Sequence, residues 1–222
     1  MGLFFGTDGL RGKVNEDLTQ DIAYKIGNAL SILKDRPTII IGSDTRISNT
    51  YLTLALAGGA MSGGAKVIDI GVVPTAGIAY ITKTIGADYG IVISASHNSG
   101  EYNGIKVFNA DGYKLSEKEE ERIERCFIRE KINEFPNIGT YEQNFNLSKI
   151  YKKFLINASE NSLKGKTIVL DGAYGAAHRI APEVFRKLGA NVIAANCVND
   201  GLKINKGCGA LYPENLIKKV FR

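Results

Sequence analysis

Short apolar runs rich in β-branched residues alternate with segments of helical periodicity along most of the chain, and this alternation restricts the fold more than any other feature. Residues 38–42 and 89–94 are such runs, and residues 66–70 (Lys-Val-Ile-Asp-Ile) form a further strand-like segment. Continuous apolar runs of this length suit strands that are buried on both faces of a parallel sheet, with helices as the crossover connections. The pattern therefore predicts an α/β fold in which a mixed, mostly parallel sheet is sandwiched by helices. The predicted helices lie at residues 22–33, 48–60, 75–84, 116–131, 147–158 and 176–188, with a last one beginning at 213.

Two structural units are predicted, at residues 1–140 and 147–222. Between them, residues 133–146 contain a proline, a glycine and several asparagines, which is typical of a connection. The second unit shows only two strand-like runs, at 167–170 and 191–195. Two parallel strands bury little surface and leave an edge open. We therefore expect the second unit to be incomplete within this chain, and we expect its exposed edge to permit self-association.

The net charge of +5 and the isoelectric point of about 9.0 favour an anionic ligand. Lys and Arg are scattered singly rather than gathered in a dense tract, so the pattern indicates a small anionic substrate rather than nucleic acid. Cys126, Cys197 and Cys208 fit no metal-binding or disulfide spacing and are interpreted as free thiols in a reducing cytosol. Neither a secretory signal nor an apolar run of roughly 18 residues is present, so we expect a cytoplasmic protein without a membrane partner.

The polar stretch at residues 94–98 is the strongest candidate for a reacting site. It directly follows the buried run at 89–94, and ligand sites in parallel α/β sheets lie beyond the carboxyl ends of the strands. Ser96 beside His97 could provide a nucleophile with a base nearby. A polar turn that caps the next element is the alternative, and these five residues alone favour that alternative.

Five short motifs lie in order along the chain and cover nearly all of it. They occupy residues 5–12, 42–46, 94–106, 169–185 and 204–216. The first contains Gly-Thr-Asp-Gly-Leu-Arg-Gly, and the third contains Ser-Ala-Ser-His-Asn followed by Asn-Gly-Ile-Lys. In order and spacing the set resembles the α-D-phosphohexomutase family, and within it the members that act on glucosamine phosphates. Members that act on mannose or glucose phosphates are the nearest alternative.

The resemblance implies a phosphoryl-transfer reaction centred on Ser96. In this interpretation Ser96 carries a phosphate, gives it to a phosphosugar to form a bisphosphate, and takes back the other phosphate, with a sugar bisphosphate as activator. The phosphate on Ser96 is also a ligand of Mg²⁺, and the family's Asp-Gly-Asp-x-Asp-Arg loop supplies the other ligands. This sequence has no such loop. Residues 1–140 then correspond to family domain I, residues 147–222 to part of domain II, and domains III and IV are absent.

Arg11 and Lys106 match family residues at the reacting end. The resemblance implies that they transfer a proton or stabilise the charge of the transferred phosphoryl group. Without the resemblance, Arg11 would be interpreted as a surface loop residue. Lys106 would be interpreted as a lysine at the end of a strand, extending its charged group to solvent.

His97, Asn98 and Arg46 complete the set of predicted site residues. The resemblance implies that His97 and Asn98 donate hydrogen bonds to phosphate or sugar oxygens, while Asn98 could instead only shape the turn. Arg46 is predicted to support the site by pairing with carboxylates of the loops. A simple surface contact between Asp44 and Arg46 is the alternative.

The sequence therefore leaves three functions open. The first is a phosphohexomutase, with little activity expected from the isolated chain because the metal-binding loop is absent. The second is a non-catalytic module that binds phosphosugars or another chain. The third, a Ser/His hydrolase, is disfavoured because no Gly-x-Ser-x-Gly sequence surrounds Ser96.

Overall fold

The computed structural model describes residues 9–128 and 138–220, and it confirms the predicted mixed α/β fold. Residues 5–8 of the first motif, the predicted helix end at 129–131 and residues 133–137 of the predicted connection lie outside the described residues. The strands are β1 (Leu10–Lys13), β2 (Thr38–Ser43), β3 (Lys66–Val72), β4 (Tyr89–Ile93), β5 (Tyr102–Asn109), β6 (Thr140–Gln143), β7 (Thr167–Asp171) and β8 (Asn191–Ala195). The helices are α1 (Gln20–Leu33), α2 (Asn49–Ser62), α3 (Thr75–Ile85), α4 (Glu117–Ile128), α5 (Ser148–Asn157), α6 (Ile180–Lys187) and α7 (Glu214–Val220), with short 3₁₀ turns at Phe145–Leu147 and Gly209–Leu211.

Six strands form the larger sheet, in the order β1-β5-β4-β2-β3-β6. The four strands from β4 to β6 in this order run parallel, and β5 is antiparallel to both of its neighbours. The prediction of a mixed, mostly parallel sheet is therefore confirmed. In this order β4 lies near the centre, so the loop that follows it starts at the carboxyl end of a central strand.

Alternating side chains along the strands build a core on each face of the sheet. On β2, Ile39 and Ile41 belong to the core that also contains residues of α1, α2 and α4, whereas Ile40 belongs to the core shared with α3 and α5. All three isoleucines are fully buried. Because neighbouring side chains point to opposite faces of a strand, a continuous apolar run is what a sheet covered on both faces requires.

Helices α1 and α2 approach each other closely enough that two glycines are needed. A Cβ atom built on Gly59 would lie 1.9 Å from the carbonyl oxygen of Tyr24, and one on Gly27 would lie 2.0 Å from that of Leu56. By contrast, a Cβ on Gly58 would meet nothing nearer than the Tyr24 ring at 3.9 Å. Adjacent glycines in α2 therefore differ sharply in the packing that they permit.

The connection predicted at 133–146 is wrong over its second half, because residues Thr140–Gln143 form β6. This strand pairs in parallel with β3, with Thr140 opposite Lys66. Gly139, which precedes it, has a backbone so near Ala65 that a Cβ atom would lie 1.9 Å from the Ala65 carbonyl oxygen. The larger sheet thus extends three residues beyond the boundary placed at 140, while the division into domains stays a prediction.

The second unit contains the parallel pair β7 and β8 together with α5 to α7. Its α6 begins at Ile180 rather than at the predicted residue 176, because Ala173 and Tyr174 have positive φ angles and start a series of turns. Tyr151 of α5 is buried in the core under α3, and the ring of Phe154 stacks on Tyr80 at a centroid distance of 4.2 Å. The unit therefore packs directly on the larger sheet's helical layer. No helix within the described residues is long and apolar enough to cross a membrane.

Candidate functional site

Ser96 lies in the loop that follows β4, with its side chain exposed to solvent. Its backbone has a φ angle of +56°, in the left-handed region that a non-glycine residue seldom adopts. Holding such a residue there costs on the order of 1–3 kcal/mol, so the surrounding structure must fix the conformation. The Ser96 N–H donates to the Ser94 hydroxyl oxygen at 3.1 Å, and the Asn98 N–H donates to the Ala95 carbonyl at 3.1 Å.

Arg46 fixes this loop from beneath. Its side chain is fully buried, and its guanidinium donates to the carbonyl oxygens of three loop residues and of the first residue of β5. The distances are 3.1 Å to Ser96, 2.8 Å to Asn98 and 2.8 Å to Tyr102, and the fourth acceptor is the Ser99 carbonyl. The planar array of five N–H groups on arginine suits this task, because several donors can reach separate carbonyls from one rigid group.

Asp44 supplies the charge that Arg46 needs for burial. The Asp44 carboxylate is 3% exposed and accepts from the Arg46 Nε–H at 3.0 Å and the Arg46 backbone N–H at 2.9 Å. It also accepts from the Ser94 hydroxyl at 2.6 Å and the Asn49 amide at 3.0 Å. A buried ion pair persists only when its remaining hydrogen-bonding capacity is satisfied. The alternative of a surface contact between Asp44 and Arg46 is therefore wrong, since the pair forms the interior of the loop.

A layer of buried amides continues this network to the neighbouring strand. Asn103, which is fully buried at the start of β5, donates to Asn49 and Ser48, each at 2.8 Å. The Gly104 N–H in turn donates to the Asn103 side-chain oxygen at 2.8 Å. In the described part of the chain, no buried side-chain nitrogen or oxygen lacks a partner. The polar base of the site is thus complete and rigid.

Arg11 reaches the same loop from the edge of the sheet. It lies on β1 opposite Gly104 of β5, and its Nη1 donates to the Asn98 side-chain oxygen at 3.2 Å. Asn98 therefore receives hydrogen bonds both at its side chain and at its backbone carbonyl. Asn98 and the exposed His97 therefore place two polar side chains directly after Ser96 in the loop.

Lys106 is half-buried on β5, two residues beyond Gly104, and opposite Val92 of β4. It lines a small cavity of about 100 Å³ together with Gly9, whose backbone crosses β5 closely. A Cβ atom on Gly9 would lie 2.6 Å from the Ile105 carbonyl oxygen, and Gly9 has a φ angle of +89°. The structure thus brings Arg11 into contact with the Ser96 loop, whereas Lys106 lies on the adjoining strand beside the N-terminal segment.

Glu101 and the second unit border the site on the other side. A cleft of about 570 Å³ lies between the loop beginning at Ser99 and the segment from Gly201 to Gly207. The pKa of Glu101 in this cleft is held below its usual value, first by a hydrogen bond from its own backbone N–H and then by one from the Ser99 side chain. Glu101 therefore stays ionised near neutral pH.

The described residues around Ser96 do not form a magnesium site by themselves. Mg²⁺ is bound mainly through carboxylates and water. Within residues 9–128 and 138–220, no group of three or more His, Cys, Asp and Glu side chains comes together. Asp44 is beside the loop, but its carboxylate already accepts four hydrogen bonds and is buried. Of the predicted ligands, these residues supply only Ser96.

Sequence reasoning missed several residues that shape the site. Ser94, Asn49 and Asn103 were not singled out, although Asn103 lies in the Asn-Gly-Ile-Lys motif and could have been noticed there. Asn205, from the second unit, was also missed, and its amide donates to the carbonyl oxygens of Ser96 and Asn98. A polar residue inside a turn-rich motif was the only signal available for Asn205.

Comparison with known proteins agrees with this architecture. The profile of the family described as phosphoglucomutase/phosphomannomutase, alpha/beta/alpha domain I, matches residues 2–134. A protein named phosphoglucosamine mutase from Thermoanaerobacter sp. (strain X514) is 46% identical over 225 residues, which cover 97% of this chain and 50% of that protein. One of the same name from Alkaliphilus oremlandii is 44% identical over 232 residues, covering 99% of this chain and 52% of that protein. The chain thus spans about half the length of the curated relatives it matches.

Solved structures show the same fold. A phosphoglucomutase/phosphomannomutase family protein from Burkholderia thailandensis superposes with a TM-score of 0.84 at 23% identity, over 98% of this chain and 49% of that one. The phosphoprotein pp63/parafusin from Paramecium superposes with a TM-score of 0.71 at 20% identity, over 98% of this chain and 47% of that one. With the profile match over more than half of its residues, the chain belongs to the phosphoglucomutase/phosphomannomutase family, the α-D-phosphohexomutases.

Proposed function

We propose that Ser96 carries a phosphoryl group in a phosphoglucosamine mutase reaction, which interconverts glucosamine 6-phosphate and glucosamine 1-phosphate. The observation that carries this proposal is the exposed Ser96 side chain, held in a left-handed backbone conformation at the carboxyl end of β4. The names of the relatives that match nearly the whole chain support the choice of glucosamine. Since those relatives are about twice as long, the full reaction is a proposal for the protein to which this chain corresponds.

The reaction consists of two phosphoryl transfers in opposite directions. In the first, the bond between phosphorus and the Ser96 Oγ breaks while a bond to a sugar hydroxyl oxygen forms; that hydroxyl loses its proton and the Ser96 Oγ gains one. The product is a sugar 1,6-bisphosphate and an unmodified Ser96. In the second, the other phosphoryl group of the bisphosphate returns to the Ser96 Oγ, which loses its proton, and the sugar oxygen gains one. Such transfers depend mainly on positioning and on neutralising charge.

The surrounding residues supply both requirements. Phosphorylation of Ser96 adds about −1.5 to −2 charges at neutral pH. The positive charge of Arg11 is near this position, because its guanidinium donates a hydrogen bond to Asn98, which lies in the same loop as Ser96. Lys106 on β5 is proposed to move a proton or to stabilise charge, and His97 and Asn98 to donate hydrogen bonds to phosphate or sugar oxygens. Arg46 is proposed to act from beneath, because its donors are already engaged by loop carbonyls.

Magnesium is typical of the family, and we propose that it contacts the Ser96 phosphate. It would neutralise charge on the transferred group. The described residues do not complete a binding site for it.

The phosphorylation of Ser96 is the first part of the proposal to test. The purified chain is incubated with glucose 1,6-bisphosphate, and its intact mass is measured. We expect the mass of one phosphoryl group to be added, and we expect Ser96→Ala to abolish the addition. Ser99→Ala, a change of an exposed serine in the same loop, serves as the control and retains the modification. Phosphate that persists on Ser96→Ala would overturn the assignment.

Sugar preference is tested separately because the family profile names glucose and mannose enzymes. The phosphorylated protein, at the full length of the relatives, is mixed with glucosamine, mannose or glucose 6-phosphate, and the loss of phosphate from Ser96 is followed by mass spectrometry. We expect the fastest loss with glucosamine 6-phosphate. Faster loss with mannose or glucose 6-phosphate would replace glucosamine as the substrate while keeping Ser96 in its role.

A further inference from the structure

Two carbonyl oxygens on either side of His97 are held by an unusually symmetrical set of donors. The Arg46 Nη2 group donates to the carbonyl oxygen of Ser96 at 3.1 Å and to that of Asn98 at 2.8 Å. The Asn205 Nδ2 group donates to the same two oxygens, at 2.8 Å and 2.9 Å. Each NH₂ group has two protons and each carbonyl has two lone pairs, so the four bonds use all of them. The turn around Ser96 is therefore held from both sides.

The Asn205 side chain is presented by a backbone that is itself fixed. Asn205 has a φ angle of +59°, which asparagine tolerates better than most residues, and its N–H donates to the Ala173 carbonyl at 3.1 Å. Its neighbour Ile204 is 3% exposed. The amide is thus delivered to the Ser96 loop by an ordered turn of the second unit.

The contact lies at a junction where the two units meet closely. A Cβ atom on Gly201 would lie 2.1 Å from the Thr45 carbonyl oxygen and 3.0 Å from the Ile47 nitrogen. The Thr45 hydroxyl also donates to the Tyr174 carbonyl. These two contacts place the second unit against the loop after β2. The hydrogen bonds of Asn205 extend the same junction to the loop after β4.

We propose that Asn205 is a positioning residue for Ser96. By sharing the two carbonyls with Arg46, it holds Ser96 in the left-handed conformation that exposes the hydroxyl, so the docking of the second unit sets the geometry of the phosphoryl carrier. Its kinetic consequence rests on the proposed function, whereas the structural coupling between Asn205 and the loop does not.

Two substitutions of Asn205 distinguish the contribution of its side-chain amide from that of its backbone conformation. Asn205→Gly removes the amide and tolerates a positive φ angle without strain. Asn205→Asp keeps the size of the side chain but replaces both donors by an acceptor that faces two carbonyl oxygens. Asn215→Ala is the matched control, because the Asn215 amide donates to the Gly207 carbonyl at 3.0 Å within the second unit.

Amide hydrogen exchange, read by mass spectrometry, tests the coupling. We expect both Asn205 variants to raise the exchange rate of the loop at residues 94–99 by about tenfold or more, because two hydrogen bonds are lost. The amides of β7 and β8 are expected to keep their rates, which shows that the second unit stays folded, and Asn215→Ala is expected to leave the loop unchanged. Unchanged loop exchange in Asn205→Gly and Asn205→Asp would overturn the proposal.

Phosphoryl transfer provides the second readout. In the protein at the full length of the relatives, with glucosamine 6-phosphate, the Asn205 variants are expected to lose phosphate from Ser96 about 10-fold more slowly at saturating sugar, with the half-saturating concentration changed less than about twofold. A reduced affinity with an unchanged maximal rate would overturn the positioning role. If the unsubstituted chain never acquires phosphate while loop exchange still responds to Asn205, the proposed function fails and the coupling stands.

Discussion

The buried guanidinium of Arg46 offers the sharpest test of how the Ser96 loop is held. Replacing Arg46 by alanine leaves the Asp44 carboxylate in the interior without its counter-charge, and it removes the donors to four backbone carbonyls. Removing one partner of a buried, hydrogen-bonded charge pair costs about 3–5 kcal/mol. We expect a loss near the middle of that range, because the exposed loop can admit water to its carbonyls while Asp44 stays enclosed.

The expected loss can be converted into a melting temperature. For a chain of 222 residues, about 1 kcal/mol of unfolding free energy shifts the midpoint by about 2–4 °C. A loss of about 4 kcal/mol therefore lowers the midpoint by about 8–16 °C. Arg46→Lys keeps the positive charge but offers only one ammonium, so it is expected to fall between the original residue and alanine.

An exposed arginine pair in the same chain provides the control. Arg125 lies 3.2 Å from Glu121 on α4, and the two side chains are 64% and 57% exposed. Pairs of this kind contribute at most about 0.5 kcal/mol, so Arg125→Ala should lower the midpoint by no more than about 2 °C. Midpoints are measured by circular dichroism under the same buffer conditions. Equal shifts for Arg46→Ala and Arg125→Ala would refute the argument that burial makes the first pair matter.

Three further predictions concern the packing, the pH response and the free edge. Gly59→Ala should destabilise the protein by at least about 1–3 kcal/mol because its methyl group would meet the backbone of α1, whereas Gly58→Ala should be neutral or stabilise by up to about 1 kcal/mol in denaturant titrations. The Lys152 ammonium, followed by Arg179, holds the pKa of Glu183 below its usual 4.5. The stability that Glu183 contributes is therefore present above that pH and is lost as the pH falls through the lowered value. Accordingly, Glu183→Gln should cost no more than about 1 kcal/mol at neutral pH, and in parallel melts the difference should vanish once the pH has fallen below the lowered pKa of Glu183. If copies pair through β8, elution in size-exclusion chromatography should shift with concentration, and Ile193→Lys should remove the shift; elution that does not depend on concentration would count against pairing.

Two of the correctly predicted strands have residues that indicate burial on both faces. The runs that became β2 and β4 are almost entirely apolar, and their pattern permits few other structures. The runs that became β3, β7 and β8 were also predicted, although β3 contains Lys66 and Asp69 and the strands β7 and β8 are only partly buried. The strands that were missed, β1 and β6, are short and largely polar, with the sequences Leu-Arg-Gly-Lys and Thr-Tyr-Glu-Gln. Their extended conformation comes from pairing with β5 and β3, which a local pattern does not contain.

The site shows the same division between local and distant information. The position of Ser96 after a buried strand followed from the sequence, because the end of such a strand is visible locally. The burial of Arg46 did not, since arginine is seldom fully buried and its acceptors lie about 50 residues away. The role of Asn205 was still less accessible, because its partner carbonyl at Ser96 is 109 residues distant. The roles of Arg46 and Asn205 therefore depend on hydrogen-bond acceptors that are distant in the sequence and become neighbours only in the folded chain.

The late arrival of β6 has a consequence for how the larger sheet is assembled. Its neighbour β3 ends at Val72, whereas β6 begins only at Thr140. During synthesis, one side of β3 therefore stays unpaired until the chain has grown by about 70 further residues. Until then β3 presents a row of unpaired backbone groups to other chains. A fragment intended to carry the first unit alone should therefore end after Gln143, so that its own last strand, rather than a neighbouring molecule, covers β3.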